Sequence, residues 1–157
     1  SGSRYKGQFV DGKPEGQGTL TLKNGSTYTG QFKDGVPVGE VIYTFYVPPG
    51  LKCTYTGELH NMKPHGRGKL VQPDRSVLIG VFDNGKHNGE GTFIYPNGDR
   101  YEGELKEGKP EGRGTHTHPD GKVYEGEFKN GKPEGKGKIT YPDGKVYEGE
   151  FRNEKPK

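Results

Sequence analysis

The sequence predicts an all-β protein, in which consecutive β-hairpin repeats form an elongated single antiparallel sheet, an open solenoid. Three observations predict it. An aromatic-x-Gly motif recurs every 23 residues, each copy alternates large apolar with charged residues, and Asn-Gly or a similar pair lies near the centre of most copies. The spacing departs from 23 between Tyr28 and Tyr55, where it is 27.

The repeat spacing changes how the composition is interpreted. With 25% hydrophobic residues, 29% charged residues and 29 glycines, composition alone indicates a disordered chain. Disorder gives no reason for aromatic residues to fall at a fixed interval, so we expect a folded array in which each repeat packs on its neighbours. We predict one array over residues 1–157, with repeats starting at 5, 28, 55, 78, 101 and 124 and a half repeat at 147.

The copy that begins at Tyr124 shows the elements of one repeat. Alternation over Tyr124–Phe128 predicts a strand with one buried face. Asn130 and Gly131 predict a type I′ turn, because both central residues of that turn need positive φ. Two-residue closure there predicts these facing pairs: Lys129 with Lys132, Phe128 with Pro133, Glu127 with Glu134, Gly126 with Gly135, Glu125 with Lys136, and Tyr124 with Gly137.

The return strand completes the repeat. Ile139 and Tyr141 are predicted on the same face as Tyr124, above a floor of glycines that lets rings lie against the backbone. Pro142–Gly144 forms the second turn. The sheet therefore has one aromatic face and one charged face.

The motif Tyr-Glu-Gly-Glu-Phe-x-Asn-Gly-Lys-x-x-Gly-x-Gly, with Asp-Gly at the second turn, resembles the MORN repeat (membrane occupation and recognition nexus) over essentially the whole chain. The resemblance implies an elongated array of antiparallel hairpins. It also implies a binding or scaffolding role, since such arrays occur as adaptors, in cytoskeletal structures, at membrane junctions, and as modules attached to kinases or methyltransferases.

Several copies depart from the pattern. In the second copy Val41 replaces a floor glycine, and four extra residues fall near Tyr46–Cys53, whose prolines predict a bulged apolar loop. This loop is either a partner-binding protrusion or a tolerated insertion, and we favour the insertion. Met62 and Arg75 replace turn glycines, and Leu78 replaces the leading tyrosine.

Charge and cysteine content restrict the function. The net charge of +3 comes from 24 basic and 21 acidic residues that alternate, so we expect no nucleic-acid partner. A single cysteine, Cys53, excludes an intrachain disulfide and favours a reducing compartment. The expected localisation is cytoplasmic, with attachment to the cytoskeleton or a membrane as further options.

The sequence predicts no catalytic site, no metal, no cofactor and no enzymatic activity. His116 and His118 share a face as metal ligands do, but they occupy the positions of Ile139 and Tyr141, and no Cys or third His lies nearby. We interpret them as substituted rim residues. The carboxylates recur in every late copy and are therefore assigned to the scaffold.

A second candidate for chemistry is Cys53 with His60 and His65 of the same copy. A lone cysteine and histidines in such a region rarely form a nucleophilic pair, so we assign them no activity.

We predict a non-catalytic scaffold or adaptor that binds an extended peptide or amphipathic helix along its aromatic face. The aromatic core and groove is assigned to Tyr5, Phe9, Tyr28, Phe32, Tyr55, Phe82, Tyr101, Tyr124, Phe128, Tyr147 and Phe151. The outer rim that would meet the partner is assigned to Tyr95, His116, His118 and Tyr141.

Three alternatives stay open. A second copy of the chain could fill the groove, giving a homodimer through the C-terminal repeats. Phospholipid could bind the turn lysines, although glutamates two residues further on oppose several of them. The lysines are Lys13, Lys63, Lys86, Lys109, Lys132 and Lys155, and the glutamates are Glu15, Glu111 and Glu134. The array could also be the regulatory repeat segment of a larger enzyme.

Overall fold

The computed structural model describes residues 2–156, except for the side chain of Asn88, and the outermost positions of the predicted array, Ser1 and Lys157, lie outside the described residues. The regular elements of this part of the chain are β-strands. They are β1 (Arg4–Val10), β2 (Lys13–Thr21), β3 (Thr27–Lys33), β4 (Val36–Val47), β5 (Leu51–His60), β6 (Lys63–Val71), β7 (Val77–Asp83), β8 (Lys86–Ile94), β9 (Arg100–Lys106), β10 (Lys109–Thr117), β11 (Val123–Lys129), β12 (Lys132–Thr140), β13 (Val146–Arg152) and β14 (Lys155–Pro156).

The strands follow one another in chain order, from β1 to β14, in one open antiparallel sheet. This confirms the predicted fold class. Contacts divide the chain into two compact units, Ser1–Asp74 with Phe82–Lys86, and Arg75–Val81 with His87–Lys157. That residues 1–157 form a single array remains a prediction. Among the described residues, no helix is long and apolar enough to cross a membrane.

The hairpin turns have the conformation that the sequence predicts. Asn130 and Gly131 have φ of 52° and 85°, as a type I′ turn requires. Met62 and Arg75, which replace turn glycines, keep the left-handed conformation with φ of 64° and 77°. Met62 and Arg75 disfavour this conformation, and the paired strands on either side of each turn hold them in it.

The predicted register is right next to the turn and wrong beyond it. Phe128 pairs with Pro133 as expected, but Gly126 pairs with Gly137 rather than Gly135, and Tyr124 pairs with Ile139. A bulge on β12 absorbs the two extra residues, since Gly135 adopts φ of 86°, a left-handed conformation that interrupts the ladder. The pairing of Tyr124 with Ile139 confirms that these two side chains share a face.

The prediction of a bulged loop at Tyr46–Cys53 is wrong. Val47 pairs with Leu51, Tyr46 with Lys52 and Phe45 with Cys53, so the insertion lengthens the hairpin of β4 and β5. The prolines occupy only the turn, where the Gly50 N–H donates to the Val47 carbonyl at 2.7 Å. The N–H groups on either side of the turn are therefore left to complete the ladder.

Buried apolar side chains concentrate on the aromatic face. Those of the first unit are Tyr28, Phe32, Val41, Cys53, Tyr55 and Phe82, and those of the second are Leu78, Tyr101, Leu105, Tyr124, Phe128, Ile139 and Phe151.

Candidate binding face and a side-chain cluster at its rim

The leading tyrosine of a repeat lies flat over two glycines. A methyl group added to Gly126 or Gly137 would overlap the Tyr124 ring or its hydroxyl, which explains why side chains are excluded there. The Tyr124 hydroxyl donates to the Glu127 carbonyl at 2.7 Å. The same bond, to the carbonyl three residues ahead, is made by Tyr5, Tyr55, Tyr101 and Tyr147.

Ring contacts join several repeats to the one that follows. Tyr101 meets Phe128 edge to face, with ring centroids 4.9 Å apart and an interplanar angle of 82°. Tyr124 meets Phe151 in the same way, at 4.9 Å and 85°. In these pairs the later repeat completes the burial of the preceding tyrosine, and such pairs contribute about 0.5–1.5 kcal/mol beyond the area they bury.

Most of the residues assigned to the aromatic core and groove form the core. The buried ones are Tyr28, Phe32, Tyr55, Phe82, Tyr101, Tyr124, Phe128 and Phe151. Tyr5 and Tyr147 are half-buried, and Phe9 is 56% exposed.

The second copy accommodates Val41 by moving its tyrosine. The Tyr28 ring stacks on Tyr43, with centroids 4.5 Å apart and planes 6° from parallel. Its hydroxyl donates to the Met62 carbonyl at 3.1 Å instead of the carbonyl three residues ahead. Burial is the main cause that raises the pKa of Tyr28 far above its usual range, with Tyr43 adding to it.

The fourth copy, which begins with Leu78, fills the glycine floor with His87. A methyl group on Gly80 or Gly91 would overlap the His87 ring, as it would overlap the tyrosine ring in other copies. Burial lowers the pKa of His87, so the neutral imidazole is favoured. Sequence reasoning missed this residue, although the signal exists: His87 stands where Pro110 and Pro133 stand in later copies.

The four predicted rim residues are all half-buried. The structure brings three of them together in one stack. The Tyr95 and His116 centroids are 5.3 Å apart, and those of His116 and His118 are 4.5 Å apart. Phe93 contacts the other side of this group with a tilted ring, its centroid 4.7 Å from that of Tyr95 and its plane at 60°. Tyr141, the fourth, lies at the same position of the following repeat.

Asp99 joins the rim histidines in a cluster. Its Oδ2 lies 2.9 Å from His116 Nε2 and 3.0 Å from His118 Nδ1. Burial of Asp99 acts to raise its pKa, but the His116 hydrogen bond and the two imidazoles outweigh it, and the pKa is lowered. Burial and the neighbouring His116 lower the pKa of His118, and burial and then Asp99 raise the pKa of Tyr95. Asp99 therefore carries a charge that the two imidazoles solvate.

Two turns and the pairing of β9 with β10 position Asp99, His116 and His118. Asp99 ends a turn in which the Tyr95 N–H donates to the Asp99 carbonyl and the Asp99 N–H donates to Asn97 Oδ1, both at 2.9 Å. His118 begins the equivalent turn of the next repeat. Since β10 pairs Thr117 with Arg100, one step further along the ladder sets His118 opposite Asp99.

Cys53 and the histidines of its copy show no sign of a nucleophilic pair. Cys53 is buried on β5, and burial raises the pKa of its thiol, which disfavours the reactive thiolate. His60 and His65 contact each other, with centroids 5.2 Å apart. His65 also lies 3.7 Å from Asp83 at an exposed position.

The recurrent carboxylates hold turns and bulges. Glu104 accepts the Arg113 N–H at 2.7 Å across the bulge of its hairpin. Glu111 accepts the Asn130 N–H of the next hairpin turn, also at 2.7 Å. Glu15 and Glu134 likewise accept the N–H groups of Asp34 and Asn153, each in the turn of the next hairpin.

The charged face of the second unit carries a shallow depression. Three basic and three acidic side chains line it, namely Arg113, Lys136, Lys138, Glu125, Glu148 and Glu150. The charges balance, so the depression favours neither an anionic nor a cationic ligand.

The fold and the ring contacts together define a β-hairpin repeat protein in which each repeat is buried by its neighbours. The family model for the MORN repeat matches residues 5–27, 28–46, 55–77, 79–100, 101–123 and 124–146. The chain belongs to the MORN repeat family. Repeats of this family are non-enzymatic and generally bind proteins or lipids.

Two further comparisons add no argument about function. A comparison with curated proteins gave no match. Among solved structures, the chain is similar to the TCP10 domain of Danio rerio CPAP in complex with a peptide of Danio rerio STIL, at 17% identity, covering 95% of this chain and 99% of that one. The TM-score is 0.17, too low for an inference.

Proposed function

We propose that this chain is a non-catalytic binding module, which takes an extended or helical apolar segment of a protein partner along its aromatic face. The observation that carries the proposal is the position of the rim rings. Tyr95, His116, His118 and Tyr141 are half-exposed above a layer of buried rings.

The buried layer supports binding because it fixes the rim before a partner arrives. His116 stacks on Tyr95 and faces Phe128 at 6.5 Å, and Phe128 is itself held by Tyr101 and Tyr124. A preorganised aromatic surface loses little side-chain entropy on binding, and tyrosine is enriched at sites that dominate binding energy.

Selection from a random peptide library displayed on phage, against the immobilised chain, tests the proposal. The affinity of an enriched peptide is then measured by fluorescence anisotropy for wild type and for Tyr141→Gln. Glutamine is a residue that the repeat tolerates at this position, since Gln72 occupies it in the third copy. We expect a loss of at least about tenfold, equivalent to ~1.4 kcal/mol.

Lys138→Thr is the matched control on the charged face. Thr92 and Thr115 hold the same position in other repeats, so the change preserves the sheet. It should leave the peptide affinity unchanged. Failure to enrich any peptide, or equal affinity for Tyr141→Gln and wild type, would refute the proposal.

Self-association and lipid binding are two alternatives to a peptide partner, and each has its own test. Light scattering across a concentration series tests self-association, since doubled mass that reverts in Tyr141→Glu identifies a second copy of the chain in the groove. Sedimentation with phosphatidylcholine vesicles, with and without phosphatidylserine, tests lipid. Binding that requires the anionic lipid would favour peripheral membrane attachment through the turn lysines.

A further inference from the structure

Three departures from the repeat pattern meet at one place on the aromatic face. The position of Asp99 is held by Ser26 and Ser76 in earlier copies and by Lys122 and Lys145 in later ones. The positions of the two histidines are held by Phe93 and Tyr95 in one neighbouring copy and by Ile139 and Tyr141 in the other. Asp99 and His116 are 17 residues apart, yet their side chains touch.

The three side chains offer one donor atom each, and these atoms lie within 4.8 Å of one another. His116 Nε2 and His118 Nδ1 are 2.9 and 3.0 Å from the same Asp99 oxygen. Ligands of a tetrahedral Zn²⁺ at 2.0–2.1 Å are about 3.3 Å apart, so the two distances to Asp99 differ from this spacing by a few tenths of an ångström. The two imidazole nitrogens, which lie within 4.8 Å of each other, would reach it by rotation of the side chains.

We propose that Asp99, His116 and His118 bind one divalent transition-metal ion, with Zn²⁺ the first candidate. Two imidazole nitrogens and one carboxylate oxygen suit Zn²⁺, Co²⁺, Ni²⁺ or Cu²⁺ better than Mg²⁺ or Ca²⁺, which take oxygen ligands. The site goes beyond the proposed function and needs no partner.

The residues around the cluster hold its three side chains in position. The Asp99 side chain is 12% exposed, and burying a carboxylate is unfavourable unless it is compensated by hydrogen bonds or a cation. The Asn97 turn fixes its backbone, and Tyr95 stacks on His116 and orients the ring. His118 is 31% exposed, so water reaches the cluster and can supply a further ligand.

Calorimetric titration of the full chain with Zn²⁺ in a non-chelating buffer tests the site. We expect saturation at one ion per chain. Asp99→Ser restores the residue of two other copies and should weaken binding at least tenfold, because the loss of a ligand costs at least as much as the loss of an outer-sphere partner. His116→Ile with His118→Tyr restores the sixth repeat and should abolish binding.

Co²⁺ gives a second readout, because tetrahedral coordination by the histidines produces visible absorption that a folding defect of the apo protein cannot mimic. Circular dichroism checks that each variant is folded. His65→Gln, which removes the exposed histidine next to Asp83, is the control and should leave Zn²⁺ binding unchanged.

Three results would overturn the site. They are the absence of saturable uptake of Zn²⁺, Co²⁺, Ni²⁺ or Cu²⁺, equal uptake by folded Asp99→Ser and wild type, and one ion shared by two chains. None of these results bears on the peptide selection, because the residue changed in that test, Tyr141, lies outside the cluster.

Discussion

Glycine and tyrosine act as a pair in these repeats. Tyr124 lies on the backbone of Gly126 and Gly137, and its hydroxyl reaches a carbonyl of its own strand. The second copy shows what happens when the pair is broken: with Val41 in place of a floor glycine, the Tyr28 ring stacks on Tyr43 instead. Ring position is therefore set by two paired residues of adjacent strands, both of which lack a side chain.

Gly137→Ala should destabilise the protein by about 1–3 kcal/mol, the usual effect of overpacking. The added methyl would overlap the Tyr124 ring. Urea unfolding measures the change. In a Tyr124→Leu background the penalty should shrink, since the ring is gone; an undiminished penalty in this double-mutant cycle would show that the ring is not the cause.

Arg75→Gly should stabilise the protein by about 0.5–1 kcal/mol, because the left-handed conformation is unfavourable for arginine, and glycine's greater unfolded-state entropy offsets part of the gain. Arg75 is exposed with φ of 77°. Gly144→Arg, at the same position with φ of 91° and open space around it, should destabilise by a similar amount in thermal unfolding. A loss of stability in Arg75→Gly would contradict the role of backbone strain.

His87 should make stability depend on pH. Burial lowers its pKa in the folded state, so the unfolded chain takes up the proton first as the pH falls through about 6.5, and stability is lost there. His87→Gln should flatten the dependence of the unfolding free energy on pH between 7.5 and 5. His65→Gln controls for the loss of one imidazole, and equal flattening in both variants would contradict the prediction.

Sequence reasoning reached the side chains that repeat and missed those that do not. Tyr124 and Phe128 are predicted in the core because most copies have the same residue there and the others have leucine. The sequence gives no sign that Asp99 joins the histidines, because it lies 17 residues from His116 and only the pairing of β9 with β10 brings the two side chains together. His87 was overlooked because its role exists only where Leu78 leaves the glycine floor uncovered.

Turn chemistry predicts the hairpins but not the whole register of their strands. Asn130 and Gly131 fixed the pairing of Phe128 with Pro133. Beyond that pair, the sequence is compatible with two conformations of Gly135, an extended residue of the glycine floor or the left-handed residue of a bulge. Both give the same alternation of side chains, so the alternation does not distinguish them. Glu127 decides for the bulge by accepting the Lys136 N–H at 3.2 Å.

Glu111→Ala should destabilise the protein by about 1 kcal/mol, because its carboxylate accepts the Asn130 N–H and so ties one hairpin to the turn of the next. Glu111→Gln, which keeps an acceptor oxygen, should lose less. The matched change Glu102→Ala removes only an exposed ion pair with Arg100 and should lose under about 0.5 kcal/mol in urea unfolding. Equal losses from Glu111→Ala and Glu102→Ala would refute the structural role of Glu111.

The charge balance of the protein depends on the residues that hold the turns. The turn lysines are exposed, and in the second unit Lys106 pairs with Lys109 and Lys129 with Lys132. Like charges that face each other would attract anionic polymers. Glutamates of the same turns oppose them and leave a net charge of only +3.

Wild type should therefore elute from a heparin column at or below about 0.15 M salt, where screening acts over roughly 8 Å. Replacing the opposing glutamates by glutamine removes three negative charges and takes the net charge from +3 to +6, while an amide oxygen still accepts each turn N–H. The three changes are Glu15→Gln, Glu111→Gln and Glu134→Gln. The variant should elute later than wild type with similar thermal stability. Strong retention of wild type itself would contradict this charge balance and favour an anionic surface as the partner.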